Sequence, residues 1–118
     1  MSDEIIDVTD ALERVQDDRE LLLELFDIFR EDFDKKRKAL RELLMHNQLD
    51  EFKDIVHSVK GATGNIGAKV MNATCIHLEE LARRNDMDAL KQQLDQLEQQ
   101  FGDFQQRAAQ IKTEFNRG

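Results

Sequence analysis

Apolar side chains recur at spacings of three and four residues along almost the whole chain, and no proline interrupts them. This spacing places them on one face of an α-helix, whose repeat is about 3.6 residues. The clearest example reads Leu22, Leu25, Phe26, Phe29, Phe33, Leu40, Leu43 and Leu44. The chain also lacks tryptophan and tyrosine, and long segments are rich in Leu, Glu, Lys, Arg, Gln and Ala, which favours helix over sheet.

Breaks in this pattern divide the chain into five predicted helices. A short helix near 11–15 follows two capping candidates, Asp7 and Thr9. A long helix then runs from about 17 to 46, where the sequence Asn-Gln ends it. The next two helices cover about 49–66, with Gly67 as the stop, and about 69–84. The last helix runs from about 88 to 115.

Four amphipathic helices with short connections can bury their apolar faces together in an antiparallel up-down four-helix bundle. We therefore predict an all-α fold of this kind, with the short extra N-terminal helix capping one end. The 118 residues suit a single domain covering 1–118, because a chain of this length can bury roughly two thirds of its unfolded surface. The sequence contains no linker, low-complexity tract or internal repeat.

The charge of the chain argues against nucleic acid as a partner. Its formal net charge is −8, whereas a nucleic-acid-binding face needs an excess of Lys and Arg. Residues 1–34 carry 3 basic and 13 acidic side chains, residues 35–84 carry 10 and 6, and residues 85–118 carry 4 and 6. The middle segment is therefore locally basic, which suits a site that receives an anion. We interpret the basic run at 35–38 as a solvated helix face.

The N-terminus has no basic region followed by an apolar one, and no apolar run approaches the roughly 18 residues that a membrane span needs. We therefore expect a cytoplasmic protein without a membrane partner. The single cysteine, Cys75, excludes an intramolecular disulfide, and its neighbours predict a buried packing role. A metal site of Cys75 with His46, His57 and His77 would need three helices to converge, and no short ligand motif supports it. We expect His46 beside a helix end. In the helix at about 69–84, the spacing places Ile76 on the buried face and His77 at its edge.

The segment 57–68 carries the strongest functional signal, because it combines a histidine and a lysine with three of the chain's five glycines. Glycine inside a helix costs about 1 kcal/mol relative to alanine, so these glycines indicate access rather than stability. Residues three, four and seven positions apart share a helix face, which places Lys60, Gly61 and Gly64 beside His57. His57 is therefore predicted to project outward, where another protein can approach it over Gly61 and Gly64.

This set of side chains suits phosphoryl transfer. A neutral imidazole nitrogen is a competent nucleophile toward phosphorus, and the ammonium of Lys60 can hold phosphoryl oxygens. The glycine spacing does not match a Walker-type loop, and the sequence shows no nucleotide pocket. The chain therefore has no evident phosphoryl donor of its own.

At these residues the sequence resembles the histidine-containing phosphotransfer (HPt) domains of two-component phosphorelays. The family pattern is His-x-aliphatic-Lys-Gly-small-small-x-x-aliphatic-Gly. Its matches here are His57, Val59, Lys60, Gly61, Ala62, Thr63, Ile66 and Gly67, followed on the next helix by Cys75, Leu78, Glu79, Ala82 and Arg83. The resemblance covers nearly the whole chain, and Gly64 occupies a variable position of the pattern.

The resemblance implies that His57 accepts a phosphoryl group from the phospho-aspartate of a receiver domain and passes it to the aspartate of another response regulator. The expected partners are receiver domains of hybrid histidine kinases and of response regulators. Mg²⁺ is expected in the receiver's acidic pocket, with no cofactor or metal on this chain. Glu79 would accept from Nδ1–H of His57 and leave Nε2 as the nucleophile, while Arg83 would assist Lys60. We expect no autonomous kinase activity, and a monomer suffices.

Two other functions are compatible with the sequence. A helical adaptor, or a degenerate domain of the same kind, would bind receiver domains without carrying phosphate, although the retained His57 and Lys60 argue against it. The phosphoacceptor domain of a chemotaxis-type histidine kinase has a similar motif, but it receives phosphate from an ATP-binding domain on the same polypeptide. These 118 residues contain no such domain. Met1 favours a stand-alone protein over a piece of a larger hybrid kinase.

Overall fold

A computed structural model describes residues 4–117, and in this range it contains five α-helices and no β-strand. The helices are α1 (Val8–Arg14), α2 (Arg19–Met45), α3 (Leu49–Asn65), α4 (Lys69–Arg83) and α5 (Met87–Arg117). The prediction of an all-α fold is confirmed, and the predicted helix bounds lie within three residues of those observed. None of these helices is long and apolar enough to cross a membrane.

Short polar side chains begin and end the helices. Asp7 caps α1 and Asp18 caps α2, each by accepting a hydrogen bond from the backbone N–H three residues on, at 3.1 and 3.0 Å. Thr9, the other predicted cap, lies inside α1. Asn47 and Asn85 follow α2 and α4 with φ of 56°, a left-handed conformation that asparagine tolerates better than most residues. Local chemistry therefore sets the helix ends that the sequence predicts.

The four long helices form an antiparallel up-down bundle in which consecutive helices pack together and α5 returns to α2. Each connection between them is three residues long, which forces neighbours to run in opposite directions. Arg41 near the end of α2 binds Asp95 and Glu98 near the start of α5. At the opposite end, the guanidinium of Arg19 lies 4.9 Å from the ring centroid of Phe115. The predicted bundle topology is confirmed.

Five phenylalanines fill the contact between α2 and α5. Their ring centroids lie 4.7–6.5 Å apart, and most pairs meet edge to face. The members are Phe26, Phe29, Phe33, Phe101 and Phe104. The core continues through the inward faces of α3 and α4, where Phe52, Val56, Met71 and Leu78 are buried. The outward faces of α3 and α4 are thereby held at a fixed place on the bundle.

The short helix α1 closes one end of the bundle, over the connection between α3 and α4. The backbone N–H of Asp7 donates to the carbonyl oxygen of Gly67 at 2.8 Å, and Ala11 is fully buried. Gly67 has φ of 70°, and a Cβ added there would lie 2.6 Å from the carbonyl oxygen of Asp7. Gly67 is therefore required both by the end of α3 and by the close approach of the segment leading into α1.

The outer face of α4 departs from the prediction. The spacing placed Ile76 and His77 on or near the buried side, but both are exposed, Ile76 by 53 %. The buried face of α4 is narrower than the apolar spacing suggests. Its buried residues are Met71, Thr74, Cys75, Leu78, Leu81 and Ala82. The expectation that His77 lies at the edge of the inner face is wrong.

The basic run at 35–38 is only partly solvated. Its two outer lysines are exposed, as predicted, but Lys36 and Arg37 are half-buried. Nζ of Lys36 lies 2.8 Å from Oδ2 of Asp32 and donates to Oγ of Ser58 at 2.8 Å. The second contact ties α2 to α3 at the residue after His57. Part of this run therefore packs because the neighbouring helix supplies an acceptor that the local sequence does not reveal.

Candidate functional site

His57 lies in the middle of α3, on the side that faces away from the core. The buried residues of α3 are Leu49, Phe52, Val56, Val59 and Thr63, all on the opposite side or flank. The imidazole side chain is 71 % exposed. His57 therefore projects outward, as the helix periodicity predicts.

Glu79 on α4 contacts both His57 and Lys60. Its Oε2 lies 3.0 Å from Nδ1 of His57, and its Oε1 accepts a hydrogen bond from Nζ of Lys60 at 2.8 Å. The Glu79 side chain is 18 % exposed and that of Lys60 is 30 % exposed, so both are held closely while the ring remains accessible. One carboxylate thus joins the predicted nucleophile and the predicted cation.

The ionisation state of Glu79 decides which way its hydrogen bond with Nδ1 of His57 runs. Partial burial opposes the charged form of Glu79, but hydrogen bonds from Lys60 and His57 outweigh it and hold the pKa of this carboxyl below its usual value. An ionised carboxylate only accepts hydrogen bonds, so the shared proton belongs on Nδ1 of a neutral ring. The lone pair of Nε2 is then free and faces solvent.

The glycines predicted to give access differ in their surroundings. A Cβ added at Gly61 would have no atom within 4 Å, whereas one at Gly64 would lie 3.6 Å from Nδ2 of Asn72. Gly61 is exposed and Gly64 is half-buried. Packing therefore does not require glycine at Gly61, and this position adds no side chain to the helix face that carries His57. Gly64 instead lies beside the amide of Asn72.

Asn72, in the first turn of α4, is a polar neighbour of the site that was not predicted from the sequence. Its Nδ2 donates to the carbonyl oxygen of Lys60 at 2.8 Å and to Oγ1 of Thr63 at 3.2 Å. Thr63 is fully buried and donates to the same carbonyl at 2.9 Å. One signal was available in the sequence: Asn72 precedes Glu79 by seven residues, which places both on one face of α4.

Arg83 lies outside this group of hydrogen bonds. It follows Glu79 by one helical turn, its side chain is 61 % exposed, and it pairs with Glu80 on its own helix. Its predicted assistance to Lys60 would require the guanidinium to leave Glu80.

The remaining candidate ligands and nucleophiles do not converge on the site. His46 and His77 are exposed, His46 directly after the last residue of α2. Cys75 is buried, as predicted, and this burial, with the nearby Glu79 carboxylate, raises the pKa of its thiol to about 12. Within residues 4–117, no three His, Cys, Asp or Glu side chains form a group able to hold a metal ion.

An apolar groove of about 570 Å³ flanks the site, between α1, α2 and α3. Ile28 on its α2 side is 61 % exposed, and Ala62 and Asn65 form its α3 wall. Ala62 and Asn65 follow His57 by five and eight residues, so the groove opens on the flank of α3 toward its C-terminal end rather than on the face that carries His57.

This arrangement suits one kind of chemistry. A fixed hydrogen bond selects the ring tautomer, Nε2 is presented to solvent, and an ammonium lies one helical turn away. Such a site can accept an electrophilic phosphoryl group brought by another molecule. It lies on an exposed helix face, where a protein partner has room to approach.

The chain matches one protein family and is similar in fold to several solved structures. The family model described as Hpt domain matches residues 24–107. Among solved structures, the chain is similar to histidine-containing phosphotransfer protein B (HptB) from Pseudomonas aeruginosa PAO1, with a TM-score of 0.82 and 24% identity over 99% of each chain. A putative histidine-containing phosphotransfer protein from rice gives 0.81 and 20%, covering 98% of this chain and 88% of that one. ZmHP2, a histidine-containing phosphotransfer protein from maize, gives 0.78 and 21%, covering 98% and 90%. A comparison with curated protein sequences found no match.

Proposed function

Because this chain belongs to the Hpt domain family, we propose that it is a phosphorelay intermediate whose phosphoacceptor is His57. In this proposal His57 receives a phosphoryl group from the phospho-aspartate of one receiver domain and passes it to the aspartate of another response regulator. The observation that carries the proposal is the contact of Glu79 with both Nδ1 of His57 and Nζ of Lys60.

The transfer step needs no net proton movement. The Nε2 lone pair attacks phosphorus, the bond between phosphorus and the aspartyl oxygen breaks, and the aspartate leaves as a carboxylate. The ring then carries a positive charge, since Nδ1 keeps its proton and Nε2 has gained phosphorus. Glu79 stabilises that charge through the hydrogen bond at 3.0 Å. The reverse step delivers the phosphoryl group to the next receiver.

Lys60 supplies positive charge for the transferred phosphoryl group. Its ammonium has three donors, of which one already binds Glu79 at 2.8 Å. The remaining donors are available to phosphoryl oxygens on the ring of His57, one helical turn away. The role of Arg83 is auxiliary, because it must first leave Glu80.

The partners in this proposal are receiver domains of hybrid histidine kinases and of response regulators. The open approach at Gly61 admits the rim of the receiver's active site, and the apolar groove on the flank of α3 provides a docking surface. Mg²⁺ resides in the acidic pocket of the receiver, and this chain contributes no cofactor or kinase activity. A monomer with one exposed face suffices for such a transient encounter.

The test is transfer of labelled phosphate from a phosphorylated receiver domain in the presence of Mg²⁺. We expect the chain to acquire label that is labile in acid and stable in alkali. His57→Gln should abolish it, whereas His77→Gln, which removes another exposed histidine, should leave it unchanged. Label that survives in His57→Gln would contradict the proposal. Binding to several receivers without any labelling would favour the adaptor function instead.

A further inference from the structure

Lys60 is held by α4 at two atoms. Its ammonium donates to Oε1 of Glu79 at 2.8 Å, and its carbonyl oxygen accepts from Nδ2 of Asn72, also at 2.8 Å. We propose that Asn72 is a positioning residue: by binding the backbone of α3 at Lys60, it fixes the register of α4 and so places Glu79 on the ring of His57. The catalytic consequence of this inference rests on the proposed function.

The hydrogen bonds between the two helices explain why Asn72 has this influence. In the described part of the chain, the side-chain hydrogen bonds that join α3 to α4 are made by Asn72 and Glu79. The rest of this contact is packing between mostly apolar side chains, which has no preferred direction and permits small slides and rotations. Hydrogen bonds are directional, so Asn72 resists such a slide whether or not Glu79 is engaged.

The amide of Asn72 is itself firmly placed. Its two N–H groups have two acceptors, the carbonyl oxygen of Lys60 and Oγ1 of the fully buried Thr63. The position where a Cβ of Gly64 would stand lies 3.6 Å from its nitrogen, which is ordinary van der Waals contact, so the amide packs against α3 at Gly64 without a clash. Asn72 and Glu79 are two turns apart, or roughly 10 Å along α4, on the same face. A shift at Asn72 is therefore passed along a rigid helix to Glu79.

The test reads the ring of His57 directly, in the unphosphorylated protein and without any receiver. Nitrogen-15 NMR at neutral to alkaline pH reports the ratio of the Nδ1–H and Nε2–H tautomers. Asn72→Leu removes the amide at similar size. Asn72→Asp also removes the donor, and it keeps α4 intact because an acidic residue is favoured in the first turn of a helix. Glu79→Ala serves as the positive control.

Thr74→Val is the matched negative control. Thr74 also lies on α4 and donates to Oε1 of Gln100 at 2.7 Å, but this bond ties α4 to α5 rather than to α3. The substitution removes one partner of a buried hydrogen bond, so it loosens α4 without releasing its contact with Lys60.

We expect both Asn72 variants to lower the ratio of Nδ1–H to Nε2–H in the same direction as Glu79→Ala, by about fivefold, which corresponds to about 1 kcal/mol. Thr74→Val should leave the ratio unchanged. Transfer from a saturating receiver should slow by a similar factor, with receiver affinity retained. An unchanged ratio in the Asn72 variants or in Glu79→Ala, or an equal change in Thr74→Val, would overturn the inference. Failure of the proposed function appears separately, as label that survives in His57→Gln or as binding to receivers without any labelling.

Discussion

The three glycines in the segment 57–68 differ in what surrounds them. Gly61 has open space where a Cβ would stand, so no neighbouring atom requires glycine there. Gly64 adjoins the amide of Asn72 at ordinary contact distance. Gly67 adopts φ of 70° and is touched by the segment before α1. Of the three, only Gly67 is therefore required by the backbone and its neighbours.

Gly61 and Gly102 provide a matched test of access. Both are exposed helical glycines with no atom within 4 Å of an added Cβ, but Gly102 lies on α5. Substitution by glutamine should raise the free energy of unfolding by up to about 1 kcal/mol at either position, because glycine is a poor helix former. Only Gly61→Gln should slow transfer from a receiver, by about tenfold or more, because the added side chain would keep the phospho-aspartate from reaching attack distance of His57. Urea unfolding and label transfer measure the two effects, and a wild-type transfer rate in Gly61→Gln would refute the role in access.

At the scale of helices, the sequence predicts well whatever depends on local spacing and capping. The five helices, the cap at Asp7 and the stop at Gly67 follow from periodicity and side-chain chemistry within a few residues. Contacts between helices are harder to predict, because they depend on how each helix is rotated about its own axis in the bundle, which its own sequence does not specify. Ile76 is therefore more exposed than its spacing suggests, and the inter-helix contacts of Lys36 and Asn72 were not predicted.

The contact between α1 and the rest of the bundle depends on Gly67. In Gly67→Ala the new Cβ would lie 2.6 Å from the carbonyl oxygen of Asp7, and φ of 70° is unfavourable for alanine. We expect the free energy of unfolding to fall by about 1–3 kcal/mol. The amide of Ala11, which donates to Asp7 at 3.0 Å, should exchange with solvent faster. Gly102→Ala, with open space and a helical backbone, should be neutral or stabilising; equal stability of wild type and Gly67→Ala would contradict this account.

At the scale of the molecule, one core supports both the scaffold and the site. The phenylalanines between α2 and α5 belong to the same buried cluster as Val56 and Leu78, which lie under the outward faces of α3 and α4. The helices that carry His57 and Glu79 therefore have no separate core of their own. We infer that the bundle unfolds as a single cooperative unit, in keeping with one domain.

Cys75 reports on this cooperativity, because it is buried in α4 beneath the site. Burial raises the pKa of its thiol to about 12, whereas the thiol of an unfolded cysteine has a pKa of about 8.5. At pH 8 the folded thiol is therefore protonated and inert to alkylation, and the unfolded thiol is partly ionised and reactive. As pH rises from about 8.5 toward 12, the unfolded state loses this proton first, so the stability of the fold declines.

Alkylation of Cys75 during unfolding tests whether the bundle is one cooperative unit. We expect the fraction of Cys75 that iodoacetamide labels to rise with urea at the same midpoint as the loss of circular dichroism. Cys75→Ala should remain unlabelled. Labelling well below that midpoint would show that α4 opens separately and that the core is not one unit.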